Sequence, residues 1–147
     1  MVTNDQFSIT LPDEWKDTTV FTFQGPHDSG VQHNLVLVID SEVDKNMKVE
    51  TYAKMQLDQS KIVLPGFELI NEKEKTMVSG IAAYEVVYKY IPADEMVLFQ
   101  KQVFMIIQGR AYSFTSSFSE KTLKTIANEA DKIIESFVPL TTDEEEE

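Results

Sequence analysis

The side chains in this sequence that could do chemistry are of two kinds. His27, Asp28 and His33 bring imidazole and carboxylate groups close together, the types that hold a metal ion or move a proton. They lack company, because the chain has no cysteine, and neither histidine stands beside a recognisable nucleophile motif. Histidines of a polar loop are the simpler reading. Gly25, Gly30, Gly66, Gly80 and Gly109 are isolated and form no phosphate-binding loop. Carboxylates are plentiful but fall in turns and on polar helix faces, where no catalytic pair stands out. The expectation is a protein that is not an enzyme, with no metal and no cofactor.

The second kind is neutral. From Val97 to Phe118 the chain reads VLFQKQVFMIIQGRAYSFTSSF, where glutamines and hydroxyls alternate with large apolar groups. Their chemistry is recognition, since amides and hydroxyls both donate and accept hydrogen bonds. Two β-rich runs around Gln108-Gly109-Arg110-Ala111 predict a hairpin with Gly109 and Arg110 as its turn and Gly109 at positive φ. Alternation then places Val97, Phe99, Val103, Met105, Ile107, Tyr112, Phe114 and Phe118 on one face, interrupted only by Lys101. The other face holds Leu98, Gln100, Gln102, Phe104, Ile106, Gln108, Ala111, Ser113, Thr115 and Ser117, with no charge. Such a face is too apolar for solvent and too rich in amides for a dry core. Two readings are open: a surface that meets another polypeptide, or a face covered by a helix of the same chain.

The elements that must position this hairpin follow from the rest of the chain. The 147 residues are 42% hydrophobic, enough for one domain with a real core. We expect that domain over residues 1–140 and an acidic tail over 141–147. The net charge of −12 argues against nucleic acid and anionic membrane as partners. The opening residues have no basic n-region or apolar h-region, so no secretory signal is expected. No apolar run approaches a membrane span.

Residues 7–11 and 18–23 alternate as strands, with Trp15 folding back onto the core from the turn between them. In the second, Phe21 and Phe23 lie opposite Val20 and Thr22. Residues 24–32 read as a loop and 34–40 as a strand buried on both faces. The spacing of Val49, Tyr52, Ala53, Gln56, Ser60 and Val63 predicts a helix within 44–64. Gln56 is either at the margin of its inward stripe or aimed at a partner. Residues 67–78 read as two short strands around a turn at 71–73. Ala82 to Tyr90 alternates again, and with Tyr90 opposite Val97 the tyrosines join Phe99 and Val103. A capping box at Ser117 to Glu120 and a stripe from Leu123 to Phe137 predict a helix over 119–137, about 28 Å long. The fold class is α+β: a mostly antiparallel sheet of about six or seven strands with two main helices packed on it.

In order and spacing, FSITLPDEW, TTVF, NLVLVID, YAKMQL with LPGFEL, GIAAYEVVYKY, QKQVFMIIQGRAYSFTSSF and the closing IIESF resemble the DcrB-like family. The resemblance spans about residues 7 to 138 and implies a PsbP-like fold. Within the family, the short leaderless members resemble the Eag chaperones of type VI secretion. The resemblance therefore implies a cytoplasmic homodimer that shields the N-terminal segment and transmembrane helices of a PAAR-containing effector, without inserting into the membrane itself. By position in the family's pattern, Phe21, Phe23, Val38 and Leu98 would be apolar groove residues, and Gln56 and Gln102 amides contacting the client. Strand alternation adds Gln100, Phe104 and Ile106. Phe21 and Phe23 are bulkier than the aliphatic residues expected there. A competing reading is an immunity or adaptor protein that binds a soluble toxin domain.

Overall fold

The computed structural model describes residues 2–3, 8–15, 18–28, 31–41, 43–44, 46–93, 96–123 and 126–139. A short hairpin pairs β1 (Val2–Thr3) with β2 (Ser8–Ile9). The main sheet holds β3 (Thr18–Asp28), β4 (Val31–Asp40), β5 (Glu68–Thr76), β6 (Ala82–Ala93), β7 (Met96–Ile107) and β8 (Arg110–Phe118). Its strands run antiparallel in the order β3-β4-β8-β7-β6-β5. Helix α1 (Val49–Val63) follows β4, and α2 (Ile126–Glu135) closes the chain. The expected α+β architecture stands, with one helix on each sheet face.

The β7–β8 hairpin turns one residue earlier than expected. Gln108 and Gly109 both have positive φ, 52° and 76°, the pair of left-handed residues that suits a two-residue hairpin. Ile107 therefore pairs with Arg110, and Val103 with Phe114. Every pairing moves by two residues, so both predicted faces survive.

The tyrosine strand does not survive, because it is out by one. Tyr84 pairs with Phe104, Tyr88 with Gln100 and Tyr90 with Leu98, and a register shift between Tyr90 and Ala93 absorbs the difference. That single residue moves all the tyrosines onto the amide-rich face. There they form a core with Tyr52, Ala53 and Leu57 of α1. Tyr52 meets the Phe104 ring edge-on with centroids 6.1 Å apart, and Phe67 lies 4.9 Å from Tyr88.

On the opposite face, Leu35, Leu37, Val103, Met105 and Phe114 pack beneath Ile134 of α2 and, just past it, Phe137. Phe137 lies 5.1 Å from Phe114 and 5.3 Å from Tyr112. Lys101, which shares this face of the hairpin with Arg110 at the turn, is paired. Its Nζ lies 3.3 Å from Glu85 Oε1 and 2.8 Å from Asp131 Oδ1. Glu85, 5% exposed, also has Lys75 at 3.4 Å and Lys73 at 3.7 Å. Lys75 reaches Glu135 at 3.5 Å, and Glu135 accepts the Val78 N–H at 3.0 Å. Burying Glu85 without these cations would be costly. Lys101 and Lys75 also tie α2 to the sheet.

Other expectations change. Residues 68–76 form one strand whose irregularity lies between Leu69 and Asn71. β3 runs on to Asp28, so strand replaces most of the expected loop. Trp15 is 67% exposed and does not fold onto the core. Helix α2 is shorter than the expected 119–137. Ser119 and Thr122 exchange side-chain and backbone hydrogen bonds, a local arrangement that competes with helical bonding. Val36 and Val38 of β4 are half-exposed, so only one face of that strand is buried. The tail at 141–147 lies outside the described residues.

Candidate functional site

The registers arrange the α1 face in rows across the sheet. One row runs Val20, Val38, Ser113, Phe104, Tyr84, and the next Thr22, Val36, Thr115, Gln102, Val86. A third brings Gln24 beside Asn34 on one side, and Ser117 beside Gln100 and Tyr88 on the other. Helix α1 packs on β6 and β7, so it seals the Phe104 and tyrosine end of each row. Toward β8, β4 and β3 the rows emerge. Val36, Val38, Ser113, Thr115 and Ser117 are half-buried, Thr22 is exposed and Val20 is 53% exposed. None of these residues is charged. The result is an open floor of aliphatic, hydroxyl and amide groups beside a helix, with half-buried Asp40 at its edge in the next row, between Thr18 and Ala111.

The amides are partly committed within the chain. Gln100 Oε1 accepts the Tyr88 hydroxyl at 2.5 Å, and its Nε2 donates to Ser117 Oγ at 3.0 Å. Burial, followed by the neighbouring Tyr90, pushes the Tyr88 phenol up to about 12, so it remains a donor at neutral pH. Gln102 Nε2 donates to Thr115 Oγ1 at 3.1 Å. Gln102 Oε1 is enclosed and accepts no hydrogen bond, and Asn34 Oδ1 is in the same position. Buried acceptors without donors cost free energy, about 1–3 kcal/mol each.

Helix α1 forms the wall. Tyr52, Ala53 and Leu57 point into the sheet. One flank carries Glu50 and Lys54, 3.0 Å apart, beside Glu72 and Glu74 of β5. The other carries Gln56, Gln59, Ser60 and Val63, which line a shallow cleft. This second flank is on the Tyr52 side, toward β7, so half-buried Gln56 borders the open floor. Of its two sequence readings, the structure places it at the margin of the stripe and beside that floor.

The predicted site residues divide. Val38, Leu98, Gln100 and Gln102 lie half-buried on the α1 face, with Gln56 at its border. Phe104 shares the face but is 1% exposed beneath α1, and Ile106 packs against the same core. Both are structural, because alternation assigns a side of the sheet and cannot say where the helix lies. Phe21 and Phe23, 46% and 54% exposed, pair with Leu37 and Leu35 and so belong to the α2 face. The sheet separates them from the floor. Val20 and Thr22 occupy the floor in their place, a swap that the alternation of TTVFTF already contained. Asn34 and Val36 were missed, and only the β3–β4 and β4–β8 registers could reveal them. His33 is 3% exposed on β4, while the side chains of His27 and Asp28 lie outside the described residues. Among the described residues no group of three or more His, Asp or Glu is placed to hold a metal ion. Nor is any helix among them long and apolar enough to cross a membrane.

A family model described as DcrB matches residues 7–136. No curated protein matches the chain. Among solved structures, the chain is similar to a protein of unknown function, PA94, from Pseudomonas aeruginosa, described as a putative regulator. The TM-score is 0.75 at 20% identity, over 96% of each chain. PsbP of the cyanobacterium Synechocystis sp. PCC 6803 (CyanoP) matches with TM-score 0.55 and 18% identity over 82% of each chain. LpqN of Mycobacterium tuberculosis, involved in cell envelope biogenesis, matches with TM-score 0.54 and 14% identity over 83% of each chain. At these identities the likeness is one of fold, and that fold is PsbP-like.

Proposed function

We propose, from the premise that the chain belongs to the DcrB family, that it is a cytoplasmic chaperone or adaptor without catalysis. Its client is the N-terminal and transmembrane-helical region of a PAAR-containing type VI secretion effector. The observation that carries this reading is the uncharged floor of Val38, Val36, Leu98, Thr115 and Gln102 left open beside α1. A transmembrane helix in water must hide its apolar side chains, and aliphatic groups on the floor would cover them. Any polar group the helix carries would be desolvated on docking and must find a partner there. The amides and hydroxyls of Gln102, Thr115, Ser113 and Gln56 supply partners of both kinds. The absence of charge among these residues, with Asp40 only at the floor's edge, avoids an unpaired buried ion under the client. A second copy of the chain, which the family resemblance implies, would add a second floor.

Co-expression with the N-terminal region of such an effector tests the reading. The wild-type chain should keep that region in the soluble fraction. The double variant Leu98→Asp with Gln102→Ala should leave it aggregated. Equal solubility with both would refute the groove, and binding to the effector's C-terminal toxin domain alone would favour an immunity role.

A further inference from the structure

We propose that the outer edge of β3 pairs antiparallel with β3 of a second copy of this chain, joining the two sheets and their floors. The family resemblance implies two copies, and the structure supplies the place where they meet. Among the described residues β3 is hydrogen-bonded to β4 and to no other strand. Sheet edges are usually blunted by charge, proline or a covering element, because a bare edge recruits other strands. The opposite edge of the sheet obeys this, since β5 carries Glu68, Glu72, Lys73, Glu74 and Lys75. From Thr18 to Gln24, β3 carries no charge, and Val20, Phe21 and Phe23 stand half-exposed on its two faces. Pro26 enters only where the register breaks, between Gln24 and His27.

Charge and symmetry select the occupant. The chain carries a net charge of −12, so two copies repel across their acidic surfaces, and an uncharged edge is where they approach at least cost. Antiparallel pairing across a twofold axis is isologous, each copy offering the same edge. It consumes that edge in both copies, and the charged β5 edges left outside resist a further strand, so assembly stops at two. A twofold axis at the midpoint of Thr18 to Gln24 sets Phe21 against Phe21 of the second copy. Val20 then opposes Thr22 of the second copy, and the row through Val20 and Val38 runs on into the second copy's row through Thr22 and Val36. On the α2 face the two Phe21 rings meet as a cross-strand aromatic pair. This pairing stands whether or not the floor shelters a client.

Sedimentation of the full chain from about 1 to about 500 μM tests the proposal, because a strip this narrow is small for an interface and should dissociate in the micromolar range. The chain should pass reversibly from monomer to dimer. Phe21→Lys, which sets two ammonium groups face to face at the axis, should weaken the dimer at least about tenfold, whereas Ile70→Lys at a half-exposed position of β5 should not. The chain has no cysteine, so Phe21→Cys supplies one thiol per copy. Directly opposed residues lie within disulfide reach, and mild oxidation should link two copies of Phe21→Cys but not of Ile70→Cys. A monomer throughout, a dimer equally strong in Phe21→Lys, or linkage of Ile70→Cys in place of Phe21→Cys would each overturn the proposal. Should Phe21→Lys fail to fold, the cysteine variants decide. A monomer that still keeps the effector region soluble would sink this pairing and leave the chaperone reading, and a dimer that fails to do so would do the reverse.

Discussion

Gln102 donates through Nε2 to Thr115 Oγ1 across 3.1 Å, while its Oε1 on the same amide is enclosed with no donor. The side chain is thus held in place by one end and unsatisfied at the other. For the isolated chain this is a cost.

The first prediction follows directly. Gln102→Leu gives up one hydrogen bond of about 1 kcal/mol and relieves an unsatisfied acceptor of similar size. Stability should therefore change by less than about 1 kcal/mol in urea unfolding, in either direction. Client binding should nonetheless fall. A loss of several kcal/mol would mean that Gln102 serves the fold.

Phe104 should behave in the opposite way. Sealed under Tyr52 at 1% exposure, it should cost about 3–5 kcal/mol when cut to alanine. Leu98→Asp, half-exposed on the same strand, should cost far less. If the two substitutions have equal effects on the urea midpoint, the placement of α1 over Phe104 is wrong.

Lys101 gives a prediction on the other face. Lys101→Met leaves Glu85 with Lys75 and Lys73 but takes the nearest cation from Asp131. A cost of about 1–3 kcal/mol is expected, below that of fully orphaning a buried charge. Amide exchange should quicken along α2 first, because Asp131 is one of its ties to the sheet. Uniform quickening across both helices would contradict this.

Alkaline pH should weaken the fold. Tyr84, through its hydrogen bond to Glu72 and then burial, and Tyr88, chiefly through burial, are both pushed up to about 12. Burial acts to lower Lys101, but Asp131 and Glu85 outweigh it and hold the ammonium above its ordinary range. Folded values above unfolded ones mean that the folded chain binds more protons at high pH. Stability is then complete below about pH 10 and declines as pH rises through about 12. Tm should be level from about pH 7 to 9 and fall beyond, less steeply in a Tyr84→Phe/Tyr88→Phe variant. An equally steep fall in that variant would reject the tyrosine contribution.

The sequence carried the sides of the central hairpin because a period of two tolerates a register error of two. It misplaced the tyrosines because an irregularity near Tyr90, invisible in composition, shifts pairing by one. The second helix came out too long because a capping box was read at Ser117 to Glu120, where Ser119 and Thr122 bond to each other instead. For the site, Leu98, Gln100 and Gln102 were legible from alternation alone. Phe104 was not, since coverage by α1 is a tertiary fact. Phe21 and Phe23 were taken from a family pattern, whereas their own alternation places Val20 and Thr22 on the floor. Asn34 needed two strand pairings before its face was defined.

The central claim concerns which face of the sheet meets the client, and site-directed photocrosslinking asks this directly. A photoreactive side chain at Val38 should crosslink the effector's N-terminal region in co-expressed complexes, while the same group at Phe21, one strand away on the opposite face, should not. Crosslinking from Phe21 with none from Val38 would contradict the account.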